Sequence, residues 1–349
     1  MKNNKVENPL YKYKKLIFIF LIIFLTVIVT ISNKENIEEA LFEVINIKFN
    51  SLILLIILLV IYLVCDALIL KVCIDDKKIN FVKAFVINMA GCFFSSITPM
   101  YSGSYPSRIY YLYKEDISIE SSLSALTVKG ITYQLLISII AVVSLFVIGP
   151  SVIKEGGYIT LLIIGFIYNI AITLVVILIS GSKKINLFAL KLIKIVTSKL
   201  KNLRKKQDDI ISSVSNYYDR TQRMYGDRIY FLKVSLYTLI KLFVYNLIPV
   251  VVFYGLGIDI SKYYLEIFGL SSLTGIIVSV FPTPGGMLAS EAVFLIFFKL
   301  LFNLDSTVEA GLLIWRLFTY YIIIILGLIA TLFLQAKEPK KVKGKKFNV

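Results

Sequence analysis

Apolar residues in this chain fall in long runs rather than at helical or alternating spacing. Predominantly apolar stretches at 16–32, 51–74, 121–149, 157–180, 229–256 and 307–335 are each 17 residues or longer. A helix of that length crosses a bilayer core, so each stretch predicts a membrane span. The first follows a basic start and lacks an A-x-A-like cleavage site, which reads as a retained span rather than a removed leader. Two other apolar stretches are interrupted. Residues 81–99 and 105–114 flank TPMYSGSYP (98–106), and residues 264–280 and 287–302 flank FPTPGG (281–286). Proline removes a backbone donor and glycine admits unusual dihedrals, so each interruption predicts a sharp turn between two short helices.

Charge settles how these elements thread. Residues 1–15 carry five Lys and one Glu, 33–50 four Glu and two Lys, 181–228 twelve Lys/Arg and four Asp, and the stretch from 337 six Lys and one Glu. The positive-inside rule then places the N-terminus, the 181–228 loop and the tail in the cytoplasm, and 33–50 outside. With those anchors, the arms 81–99 and 105–114 enter and leave by the inner face, and 264–280 and 287–302 by the outer face. The predicted fold is an all-α polytopic membrane protein with an inverted-topology repeat: about six full spans plus two re-entrant helical hairpins, or six to ten helices as the hairpin arms are counted. One transmembrane domain is expected over 1–335, with repeat one at about 10–150, repeat two at about 157–335, a basic amphipathic cytoplasmic loop at 181–228, and a basic tail at 336–349. Within the loop, KINLFALKLIKIVTSKL (184–200) predicts a helix lying on an anionic leaflet.

The two interruptions also echo each other. Thr98-Pro99 stands in the first and Thr283-Pro284 in the second; KGITY begins 31 residues after Thr98, at Lys129, and RLFTY 33 residues after Thr283, at Arg316. Each is a cation followed at +3 by Thr and at +4 by Tyr, which fits an ancient duplication. Irregular backbone survives at membrane depth only when buried in protein or facing a watery cavity, so the two tips predict a central polar pocket. Lys129, Arg316, Lys241, Asp66 and Glu291 fall inside apolar sequence, where charge is costly and normally faces a bundle interior. Lys129, Arg316 and Glu291 are the expected binders of a headgroup carrying a phosphate and an amine. The alternative is that Glu291 pairs with Arg316 and only fixes helix packing. For Lys241, snorkelling to an interface weighs equally with a role in the cavity. The candidate binding set is Thr98, Pro99, Gly103, Pro106, Lys129, Tyr133, Pro282, Thr283, Pro284, Gly285, Gly286, Glu291, Arg316 and Tyr320. No catalytic residue, metal site or cofactor is expected. Histidine is absent, Cys65, Cys73 and Cys92 lie in apolar segments, and no P-loop, dinucleotide fingerprint or HExxH occurs.

FPTPGG followed by Glu291, WRLFTYYIIIILG at 315–327, TPMYSGSYPSRIYYLY at 98–113 and KGITYQ at 129–134 together resemble the lysylphosphatidylglycerol synthase transmembrane family, the flippase-like membrane half of the bacterial multiple peptide resistance factor. The resemblance covers about residues 10–335. It departs where the family commonly has a glycine pair and a glutamine, here Gly103, Ser104 and Tyr105, and where small residues follow PGG, here Met287, Leu288 and Ala289. The resemblance implies a lipid transporter of the bacterial cytoplasmic membrane, with both termini cytoplasmic. Its cargo would be an anionic or aminoacylated phospholipid such as lysyl-phosphatidylglycerol, and its effect resistance to cationic peptides. Two other readings stand beside it: a membrane component of a phosphatidylglycerol lysyltransferase working with a separate soluble synthase partner, and a scaffold or carrier for another lipid. The family's soluble transferase domain is not expected in this chain, so lysyl transfer by it alone is not expected either. Nucleic acid is not an expected partner, and oligomerisation is left open.

Overall fold

A computed structural model of the chain describes residues 34–148, 159–199 and 207–336. The expected span at 16–32 and the basic tail lie outside the described residues. Thirteen helical segments follow in order, and no strand occurs among the described residues: α1 (Lys34–Ile45), α2 (Phe49–Ile74), α3 (Phe81–Ile97), α4 (Ser104–Lys114), α5 (Ile119–Ile148), α6 (Ile159–Gly181), α7 (Lys183–Lys199), α8 (Gln207–Gly226), α9 (Arg228–Gly255), α10 (Tyr264–Val278), α11 (Ala289–Phe302), α12 (Asp305–Arg316) and α13 (Ile322–Ala336). The last two join through a widened π-turn, Leu317–Tyr321, into one continuous rod. Five rods, α2, α5, α6, α9 and α12–α13, are long and apolar enough to cross a membrane. They lie within about two residues of the stretches predicted from hydropathy. The molecule is an all-α polytopic membrane protein. Helices α1 and α8 were not anticipated: the acidic and basic stretches that marked sidedness are themselves folded.

Local chemistry explains the boundaries. The Asn80 side chain accepts from Lys83 N (2.9 Å) and Asp227 from Tyr230 N (3.0 Å), capping α3 and α9. Asp75 and Asn303, both left-handed, close α2 and α11. Long rods such as α6 leave Ile163, Ile167 and Val175 exposed, and on α5 Phe146 is 84% exposed. Apolar side chains facing outward are stable only where the surroundings are themselves apolar.

Contacts at the rod ends sort the bundle into two poles. At one, Arg220 donates to Ile74 O (2.7 Å), Ser213 to Glu120, and Gln222 to Ser180 O (3.1 Å). At the other, Lys48 N donates to Gly255 O (3.1 Å) and Thr307 to Glu43 (3.0 Å). The first hairpin, α3–α4, has both feet at the first pole: Lys83 pairs with Glu115 (2.5 Å) and Lys78 Nζ donates to Asp116 O (3.0 Å). The second, α10–α11, has both feet at the opposite pole, where the Tyr263 and Phe302 rings lie 5.7 Å apart. Single cysteines at 78 and 116 will therefore label from the same side of the membrane in intact cells; labelling from opposite sides would contradict this arrangement. The native Cys65 and Cys73 are buried, whereas Cys92 is half-buried and lines a cavity, so the variants carry Cys92→Ser.

The second hairpin is held by rings. Phe253, Phe294, Phe298 and Phe302 pack against one another at centroid separations of 4.4 to 6.4 Å, and Phe294 stacks on Trp315 at 4.8 Å. The first is held by an apolar cluster that includes Ile87, Ala90, Tyr111 and Leu112 with Ile69 and Leu70 of α2, and by polar contacts at Arg108.

Candidate functional site

The two hairpin tips meet. Pro99 and Pro284 face each other as a single antiparallel bridge. Proline has no N–H, so the position must be a non-hydrogen-bonded pair, which needs none. Tyr320 Oη, within the π-turn, donates to Ser96 O at the end of α3 (3.0 Å). Gly285 fits beneath this bond at φ +57°, where a Cβ would lie 2.6 Å from Tyr320 Cε2 and 2.8 Å from Ser96 O. In the second tip the left-handed residues are Gly285, Gly286 and Leu288, much as a PGG turn suggests. The first tip differs. Its left-handed residues are Met100 and Tyr101, whereas Gly103 has an ordinary φ of −72°. Gly103 is needed for closeness instead: its N–H donates to Thr98 Oγ1 (2.8 Å), which itself donates to Phe94 O (2.7 Å). Pro106 stands in the first turn of α4, where a missing N–H costs nothing.

Beside this seam lies a cavity of about 630 Å³. Of the predicted residues, Lys129, Tyr133, Gly285, Arg316 and Tyr320 line it. Thr98, Pro99, Gly103, Pro106, Pro282, Thr283, Pro284, Gly286 and Glu291 form no part of its wall; they shape or brace the tips. Lys129 and Arg316 do reach one cavity, as the echo between the halves suggests. Glu291, in contrast, does not join Lys129. It pairs with Arg316 (Oε1–Nε 2.6 Å), and the guanidinium also donates to Ser290. Arg316 lies over Trp315 and Tyr320, 4.7 and 5.3 Å from their ring centroids. Its π-face is thus packed while Nη2 is hydrogen-bonded and Nε faces the Glu291 carboxylate.

Lys129 belongs to a second cluster. Asp66 on α2 is 2% exposed, and its Oδ1 receives both Lys129 (3.0 Å) and Lys241 (2.5 Å). Its Oδ2 receives the Asn88 amide, and Asn88 Oδ1 in turn accepts from Lys129 (2.9 Å) and from Arg108 Nε (3.0 Å). Lys241 is buried, with its ammonium 5.0 Å from the Tyr62 ring and 5.4 Å from that of Tyr133, so it does not snorkel. The paired Asp66 joins four helices at one point: α2, α3 through Asn88, α5 through Lys129 and α9 through Lys241. Sequence reading marked Asp66 and Lys241 only as misplaced charges, and it missed Arg108 and Asn88. The available signal was an arginine ten residues past Thr98, in a hairpin arm otherwise rich in tyrosine.

An all-helical bundle with two broken hairpins from opposite poles and a buried charged cavity defines a multi-pass membrane protein. The chain belongs to the lysylphosphatidylglycerol synthase TM region family, whose pattern matches residues 14–327. It is 26% identical over 270 residues to a protein of Methanocaldococcus jannaschii described as "UPF0104 membrane protein MJ1595", covering 76% of this chain and 78% of that one. No solved structure matches it.

Proposed function

We propose that the protein carries phospholipid between the leaflets of the cell membrane, taking the headgroup into the cavity while the acyl chains stay in lipid. The supporting observation is the cavity wall itself: Arg108, Lys129, Lys241 and Arg316 are set around a single lining carboxylate, Asp66, beside the junction of two broken hairpins. Cations held in advance in a site of low dielectric suit a phosphate. Phosphatidylglycerol and its lysyl ester are the candidate cargoes. The pole bearing Lys78, Asp116 and α8 faces the cytoplasm, because the basic stretch 181–228 belongs to it. There α7 would lie on the anionic leaflet with Phe188 and Leu192 toward lipid and Lys191 and Lys194 toward phosphates.

The test is movement of a fluorescent phosphatidylglycerol across proteoliposomes, read by quenching of outer-leaflet dye. Wild-type protein should accelerate it. Arg316→Ala and Glu291→Ala should each reduce it to the protein-free rate at equal protein level. Unchanged movement in both variants would reject the cavity as the route.

The family description favours a second reading, in which the chain is the membrane component of a phosphatidylglycerol lysyltransferase. Under it, lysyl ester forms only when a soluble synthase is supplied with lysyl-tRNA, and this chain raises the yield.

A further inference from the structure

We infer that the cavity selects phospholipids whose headgroup is net negative and carries no ammonium, and that Arg108 is the residue that holds the phosphate. The inference rests on the lipid-transport reading and narrows its substrate class. Its starting point is charge pairing. Glu291 and Arg316 neutralise each other. Asp66 serves Lys129 and Lys241 together. Arg108, 7% exposed, has only neutral acceptors: Asn88 Oδ1 (3.0 Å), Asn88 O (3.5 Å), the Ser104 hydroxyl and Cys92 Sγ (3.7 Å). No carboxylate lies within 4.0 Å of it among the described residues. Three cations thus share one carboxylate, a formal surplus of two positive charges. Buried charge is tolerated when an opposite charge completes it, and here the completing group has to come from outside the protein. A phosphate seated among Arg108, Lys129 and Lys241 supplies that charge, and the planar guanidinium can hold two of its oxygens at once.

An ammonium headgroup finds no free carboxylate in the described wall. Asp66 Oδ1 already receives two lysines and Oδ2 the Asn88 amide, while Glu291 is tied to Arg316 and lies outside the wall. The Tyr62 and Tyr133 faces, which would otherwise attract a cation, already hold the Lys241 ammonium. Lysyl-phosphatidylglycerol, with one phosphate and two ammonium groups, would bring net positive charge to a positive wall. Phosphatidylglycerol would bring net negative charge.

The full chain, purified in detergent and mixed with equimolar phosphatidylglycerol, its lysyl ester and phosphatidylethanolamine, is assayed for retained lipid by native mass spectrometry. Phosphatidylglycerol should be retained about tenfold over the lysyl ester, and Arg108→Gln should lower that retention about tenfold, the loss of one charge-assisted contact. Arg108→Lys should restore part of it, and phosphatidylethanolamine should not respond to either change. If Arg108→Gln does not fold, the wild-type competition decides alone. Equal or preferred retention of the lysyl ester overturns the selection and leaves the transport reading standing. Displacement of the lipid by inorganic phosphate assigns the site to the free anion and overturns the lipid form. If no lipid of any charge moves in proteoliposomes, the transport reading fails, and this inference with it.

Discussion

Replacing Asp66 with alanine lowers the stability of the detergent-solubilised protein by about 3–5 kcal/mol, the cost of removing one partner from a buried ion pair and stranding the other. The effect sits at the top of that range because two lysines lose their carboxylate together, 3.0 and 2.5 Å away, with Arg108 one residue further along the same network through Asn88. Asp66→Asn keeps the shape and a bond to Asn88 but not the charge, and falls between alanine and wild type. Asp66→Leu combined with Lys129→Met and Lys241→Met regains much of the loss, since apolar residues of similar volume replace a buried ionic cluster at little cost. In a Cys92→Ser background the remaining thiols, Cys65 and Cys73, are both buried, so the rise in reactivity of a thiol dye on heating reports unfolding directly. An Asp66→Ala protein melting within a degree or two of wild type would show that the carboxylate does not hold these helices.

Gly285→Ala separates the hairpin tips. Alanine at φ +57° costs about 1–2 kcal/mol from backbone conformation alone. Its Cβ would also sit 2.8 Å from Ser96 O, a backbone atom that cannot swing aside, and 2.7 Å from the Tyr320 hydroxyl bonded to that oxygen. The readout is a crosslink. Directly opposed residues of an antiparallel pair have Cα atoms about 4.5–5.5 Å apart, within the span a disulfide accepts. Pro99→Cys with Pro284→Cys should therefore oxidise readily in the otherwise native chain, and adding Gly285→Ala should suppress the crosslink. Undiminished crosslinking would mean that the tips tolerate a methyl group where the geometry leaves no room. Lipid movement should fall with the crosslink, because Gly285 and Tyr320 also line the cavity.

Hydropathy located the rods well because lipid imposes one simple demand, an uninterrupted apolar stretch of sufficient length. The breaks at Thr98-Pro99 and Thr283-Pro284 were equally legible, since Pro and Gly act locally. Their meeting at Pro99 and Pro284 followed from the topology that loop charge dictates. Pairing was not legible. Lys129, Arg316 and Glu291 are expected from the sequence to share one headgroup, yet the carboxylate that Lys129 reaches is Asp66, 63 residues earlier in the chain. Which carboxylate a buried lysine reaches depends on how α2, α5 and α9 rotate about their axes, and α2 and α5 are apolar almost all round, so no stripe reveals that rotation. Arg108 escaped notice for a related reason. In an eleven-residue arm ending in lysine it looks like one more interfacial cation, and only the fold shows it turned inward. The left-handed turn of the first tip, at Met100 and Tyr101 rather than Gly103, is set by contacts with the opposing tip, which no local propensity encodes.

The unequal support of the two hairpins gives the machine one stiff jaw and one yielding jaw. Behind α11 stands a column of interlocked rings that cannot shift by less than a whole side chain without opening voids. Behind α4 stand an apolar cluster around Tyr111 and Leu112 and, on the cavity side, the hydrogen bonds of Arg108, which can be exchanged one at a time. The tyrosine-rich arm is then the part of the cavity wall expected to shift more readily than the ring-backed arm, carrying the Arg108 guanidinium with it.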